Sequence, residues 1–152
     1  MLAAQQLVDA IATRITGLAL TGSRAYTSRM WPFDEADLPA WRVFAVDEDI
    51  EPATVHSPYI NSHALQVELR GVARAVDNLD DLLNALASQA LGALFVEPGV
   101  PDALSALMGK TALSARRIER GMSTEGQAVV GQLTLTLRVE FRTLSNDPDT
   151  IL

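Results

Sequence analysis

From Gln132 to Arg142 the chain alternates without a break. Leu133, Leu135, Leu137, Val139 and Phe141 fall on one parity, and Gln132, Thr134, Thr136, Arg138, Glu140 and Arg142 on the other. Successive side chains of a strand point to opposite faces, so this pattern reads as a strand with one face against a core and one in water. Burying each of the five apolar side chains contributes roughly 1.5–3 kcal/mol before chain entropy is subtracted. The spacing predicts a strand over about Ala128–Thr143, preceded by another over about Ala112–Arg120. The stretch from Gly121 to Gly126 is expected to be the turn between them.

The elements that cover such a strand are legible upstream. Leu7, Val8, Ile11, Ile15 and Leu18 recur at helical spacing, predicting an amphipathic helix from about Leu2 that closes near Gly17 or Gly22. Leu79, Leu82, Leu83, Leu86, Ala90 and Leu94 predict a second helix, with Asp77 or Asn78 as its cap and Asp80 and Asp81 at its positive end. Glu97-Pro98-Gly99 should stop it, and a shorter helix should run from Pro101 to near Gly109. Leu65, Val67 and Leu69 alternate with Gln66, Glu68 and Arg70, which gives a half-buried strand over about Ile60–Val76 with a bulge at Gly71. Residues Arg24 to Trp31 read as a short strand. Trp41 to Asp47, apolar on both parities, reads as the central strand of the sheet, covered on both faces.

Helices and strands that do not alternate regularly, with hairpin signals at the end, indicate an α+β fold: a small, mainly antiparallel sheet with helices packed on it. One domain over residues 1–145 is expected, with a long loop or arm at about 47–60 and a flexible tail over 146–152. The arm rests on Asp47 to Pro58, where two prolines and four acids argue against a sheet interior. The N-terminus lacks the basic start and apolar core of a signal peptide, and no apolar run approaches a membrane span, so a soluble protein is expected. The chain has no Cys, which removes thiolate chemistry and disulfides. A formal net charge of -7 opposes binding along a nucleic-acid duplex.

Three groups of polar residues are candidates for a role. His56 and His63 flank Pro58 and Tyr59, and with Asp49 and Glu51 they are a conceivable metal set; solvated loop residues are the plainer reading. The acids form two groups, Asp34, Glu35 and Asp37 before the expected central strand and Asp47, Glu48, Asp49 and Glu51 after it. Solvated loops are again the plainer reading, and a weak divalent cation such as magnesium the functional one. Arg116, Arg117, Arg120, Arg138 and Arg142 gather basic charge on the last two strands, where cross-strand pairing with Glu119 and Glu140 explains them most simply. No nucleophile elbow, phosphate-binding glycine loop or HExxH motif is present, so an enzyme is not expected.

The run from Thr21-Gly22 through Phe33-Asp34-Glu35-Ala36-Asp37-Leu38-Pro39-Ala40, with the strand after it, resembles the tail terminator proteins of long-tailed, non-contractile bacteriophages, the lambda-like minor tail protein U family. The close match covers roughly Thr21 to Val46. Elsewhere it is one of element order, and the chain departs from the family over Leu94–Gly109 and after Thr143. The resemblance implies a structural protein of the virion, assembled in the host cytoplasm and placed at the head-proximal end of the tail. There it would form a homo-hexameric ring that caps the tail tube, ends its polymerisation and offers a joining surface to the head. Its partners would be its own copies, the tail tube protein and a head-tail connector or neck protein, with DNA met only in passing through the lumen. No cofactor and no membrane partner are implied. The Asp34–Asp37 loop and the arm with Asp47, Glu48, Asp49 and Glu51 are then the expected contact elements, facing Arg116, Arg120, Arg138 and Arg142 of a neighbour. A neck protein of the same particle is the alternative, and a small metal-dependent enzyme a more distant one.

Overall fold

The computed structural model describes residues 1–27, 38–75, 77–95, 103–125 and 128–152. Its strands are β1 (Ala25–Tyr26), β2 (Ala40–Pro52), β3 (Ile60–Ala75), β4 (Ala112–Glu125) and β5 (Ala128–Leu144); its helices are α1 (Ala3–Ile15), α2 (Leu79–Leu94) and α3 (Ala103–Met108). The strands form one sheet in the order β1-β2-β3-β5-β4. All neighbours are antiparallel except β1 and β2. This is the α+β architecture expected from the sequence.

The predicted alternation in β5 is realised, for Leu133, Leu135 and Leu137 are fully buried and Val139 and Phe141 nearly so. Leu65, Val67, Leu69 and Ala73 of β3 share that face, as do Trp41 and Val43 of β2. The three helices close over it. Leu7, Val8, Ile11 and Ile15 of α1, Leu79, Leu83, Leu86, Ala90 and Leu94 of α2, and Leu104 of α3 complete a single core. The opposite face of the sheet carries Arg42, Gln66, Glu68, Arg70, Thr134, Thr136, Arg138 and Arg142.

Arg14 is the one arginine among the buried residues described. Its Nη1 donates to the Ala93 carbonyl (3.2 Å) near the C-terminal end of α2, and its Nη2 to Ser105 Oγ (2.8 Å) on α3. One guanidinium thus ties three helices, and it answers a carbonyl that the end of α2 leaves over. Arg14→Met keeps most of the apolar stem and loses these bonds. Chemical denaturation should show a loss of about 2 kcal/mol.

Several expectations are corrected. The sheet's centre is β3, not β2. Only one face of β2 meets the core; on the other, Phe44 is shielded by the Arg70 guanidinium, whose carbon sits 5.0 Å from the ring centroid, and Val46 is exposed. Asp47 to Pro52 are not loop but strand, paired with Gln66 to Asn61. The acids tolerate this because every residue from Val46 to Pro52 is exposed, and Pro52 is the last residue of the strand, where a missing N–H costs least. The connecting loop is shortened to 53–59. Gly71 pairs regularly with Trp41 and Leu133, and the bulges fall instead at Ala45/Asp47 and Ala115/Arg117. Gly121 to Thr124 continue β4, because the hairpin stays paired as far as Glu125 and Ala128. Asn78 is the N-cap of α2, but in the left-handed conformation (φ 50°) and with no side-chain cap bond. Of the expected short strand, Ala25–Tyr26 form β1 and Arg24 and Thr27 do not; its part from residue 28 on, the stop at Glu97-Pro98-Gly99 and the start at Pro101 lie outside the described residues.

The tail, expected to be loose, is seated. Ile151 is buried, the Leu152 N–H donates to the Arg142 carbonyl (2.9 Å) and Lys110 Nζ to the Ile151 carbonyl (3.4 Å). Gln6 Nε2 donates to the Asp149 carbonyl (2.7 Å). Of the two adjacent apolar residues that end the tail, Ile151 is the buried one and supplies the anchor, while Leu152 stays exposed.

Candidate assembly surface

The bulge in β2 decides how the acidic segment is presented. Up to Ala45, odd-numbered residues of β2 face the helices. If that parity continued, Asp47, Asp49 and Glu51 would turn towards the helix side. The pairing instead passes from Ala45↔Val67 to Asp47↔Gln66, so Val46 is the extra residue and the parity flips. Asp47, Asp49 and Glu51 therefore join the open face, while Glu48 and Ile50 take the helix side.

On the open face the pairing sets transverse rows. Asp47 lies in line with Gln66 and Arg138, Asp49 with Ala64 and Glu140, and Glu51 with Ser62 and Arg142. Acidic residues of β2 and basic residues of β5 are thus two strands apart, about 10 Å at ordinary strand spacing, and the small Ala64 and Ser62 leave the space between them low. A depression of about 800 Å³ lies at this end of the sheet, lined by Asp49, Glu51, Ser62, Ala64, Arg138 and Arg142 of the open-face parity together with Ile50, His63 and Phe141 of the helix-side parity, and with Lys110 and Leu152.

The arginines are placed differently from expectation. Arg117 Nε meets Glu119 Oε1 (2.7 Å) and Arg138 Nη2 meets Glu140 Oε1 (2.9 Å), so the pairs run along a strand and not across strands. All four side chains are well exposed, and such pairs hold their partners weakly. Arg116 is the extra residue of the β4 bulge. Arg120 turns to the helix side, where Nη2 and Nε donate to Asn84 Oδ1 of α2 (2.9 and 3.2 Å). The structure therefore brings Asp47, Asp49, Glu51, Arg138 and Arg142 to one face, and sets Glu48 and Arg120 on the other. Asp34, Glu35 and Asp37 lie outside the described residues.

Glu48 has a role that the acidic run concealed. Its Oε1 lies 2.7 Å from Nδ1 of His63, whose Nε2 is 2.8 Å from Thr143 Oγ1. The imidazole is buried and stacks on Phe141 with centroids 4.6 Å apart and planes 9° from parallel. Side chains of β2, β3 and β5 are thereby joined in one line. The signal was present in the sequence: His63 shares the parity of Leu65, Val67 and Leu69, and Thr143 that of Leu133 to Phe141. Polar residues on a core parity need partners. His56 lies exposed in the 53–59 loop, apart from this line, and both ring nitrogens of His63 are already engaged. Among the described residues no group of three or more His, Asp or Glu is placed to hold a metal ion.

No protein-family model matches the chain, nor does any curated protein sequence. Among solved structures, a chain described as part of the virion of a native gene transfer agent particle is similar, with 22% identity over 91% of this chain and 92% of that one and a TM-score of 0.44.

Proposed function

We propose that this chain is a structural, non-enzymatic virion protein that assembles as a hexameric ring on the head-proximal end of a phage tail tube, stops its growth and receives the head. The observation that carries this reading is the resemblance of Thr21–Val46 to the tail terminator family, a match that runs directly into β2 and its acidic end. The α+β fold agrees with it. A ring ends polymerisation without chemistry if one of its faces complements the tube end and the other does not repeat it. Its subunits meet through two different surfaces, and the acidic end of β2 facing arginines of the next copy is the pair this chain offers. The tube protein below, a neck or connector protein above and DNA passing through the lumen are the partners this implies. No cofactor is required. Magnesium favours the ring if the acids crowd at the subunit contact.

The test is tube growth. Purified chain added to polymerising tail tube protein should arrest elongation, read as tube length by electron microscopy, with a bound species close to six times 16.4 kDa. Tubes that grow equally long with and without it would sink the assignment, and a neck protein would give that result.

A further inference from the structure

The sheet has two edges of opposite charge. Beyond Ala45 the outer part of β2 presents Asp47, Asp49 and Glu51, Glu48 being held by His63, with every residue from Val46 to Pro52 exposed, and at the other edge of the sheet β4 presents Arg116 and Arg117 against the single Glu119, all three exposed. From these edges we infer that a second copy of this chain pairs head to tail, the acidic edge of β2 on one copy lying along the basic edge of β4 on the next.

Two features of the sheet favour this arrangement over its competitors. The first is charge. Pairing β2 with β2 sets Asp47, Asp49 and Glu51 against the same three acids, and pairing β4 with β4 sets a net positive edge against itself, whereas β2 against β4 joins opposite signs. Like charges facing each other across strands are destabilising, so two-fold dimers through either edge are selected against and the repeating contact is selected for. The second is strand direction. β2, β3, β5 and β4 alternate in direction, so β2 and β4 of one copy run opposite ways. Copies related by rotation about an axis along the strands then meet with β4 antiparallel to the neighbouring β2, the more stable of the two ladder types. The exposed charges and bulges of both edges also fit the usual protection against unregulated strand addition. Here the opposite signs leave one pairing open. The inference takes from the proposed function only the number of copies in the closed ring.

The test uses charge reversal on the full chain. One variant carries Asp47→Lys, Asp49→Lys and Glu51→Lys; the other carries Arg116→Glu and Arg117→Glu. All five residues are exposed and none belongs to the His63 line, so both variants should fold, which thermal melts check. In sedimentation velocity at about 50 mM salt the unaltered chain should self-associate, and about 500 mM salt should weaken it. Each variant alone should associate at least about tenfold more weakly, because both of its edges now carry one sign. Mixed in equal amounts, the two variants should recover association, since each supplies the edge that the other has lost. Variants that associate as well as the unaltered chain, a mixture that does not recover, or an unaltered chain that stays monomeric at every concentration would each overturn the inference. Tube-length arrest is scored separately. Edge pairing without arrest would leave the inference standing and remove the terminator reading, and arrest without edge pairing would do the reverse.

Discussion

Replacing Trp41 with alanine should lower the free energy of unfolding by about 3–5 kcal/mol, the cost of removing a large aromatic from a closed core. For a domain of this size the melting temperature should fall by roughly 10 °C or more. Trp41 is fully buried and, among the described residues, is the largest side chain in that state. It stands on β2 opposite Gly71, and a Cβ added at Gly71 would lie 3.0 Å from Cζ3, 3.1 Å from Cη2 and 3.2 Å from Cε3 of the indole. The glycine is therefore the floor on which the ring lies. Alanine in a strand is ordinarily the better residue, since glycine loses more chain entropy on folding. Gly71→Ala should nonetheless destabilise by about 1–3 kcal/mol, because a fully packed ring cannot retreat by the few tenths of an ångström required. In a Trp41→Leu background the same change should become neutral or stabilising. A double-mutant cycle read by urea denaturation measures that coupling, and additive effects would show that the indole does not constrain position 71. Trp41 Nε1 has no hydrogen-bond partner among the described residues, so Trp41→Phe, which removes that donor, should cost less than its loss of volume suggests.

Gly71 also marks a limit of reading from pattern. A glycine inside an alternating strand signals a bulge or a close approach with equal force, and only the cross-strand partner tells them apart. That partner, Trp41, belongs to another strand. The elements themselves were legible wherever burial was one-sided, as in β5, β3 and α1, because periodicity then records the face directly. β2 was harder to read. Its apolar residues fall on both parities because Phe44 is shielded by Arg70 from a neighbouring strand, and because the extra residue Val46 shifts the register. Its acidic half looked like a loop, since composition reports exposure, which is correct here, but not backbone pairing, which β3 supplies. The candidate surface was legible as two sets of charges. What the sequence could not show was their distribution over two faces: the β2 bulge sends Asp47, Asp49 and Glu51 one way and Glu48 the other. Arg120 was likewise indistinguishable from Arg117 until its partner Asn84, on α2, was in place.

The same register shift yields the other large effect. Because Glu48 is turned to the helix side, its carboxylate reaches Nδ1 of His63, and Nε2 of the same ring reaches the hydroxyl of Thr143, of which 1% is exposed. Removing the imidazole by His63→Ala strands Thr143 without its partner, deprives Glu48 of a charge-assisted bond and opens a gap against Phe141. Together these should cost about 3 kcal/mol. Two further variants separate the terms. His63→Phe keeps a flat ring over Phe141 and loses both hydrogen bonds, so it should recover only the packing share. Glu48→Gln keeps an acceptor for Nδ1 and loses the charge, and should cost about 1 kcal/mol or less. Hydrogen exchange adds a spatial readout that a general loss of stability would not give. If His63 fastens the acidic half of β2 to β3 and β5, amide protection in His63→Ala should fall first at Asp47 to Pro52 and their partners Asn61 to Gln66, while the Trp41 end of the same hairpin keeps its protection until global unfolding. Uniform loss along both strands would show that the line from Glu48 to Thr143 contributes to the core at large and does not specifically hold the end of the sheet where the two sets of charges meet.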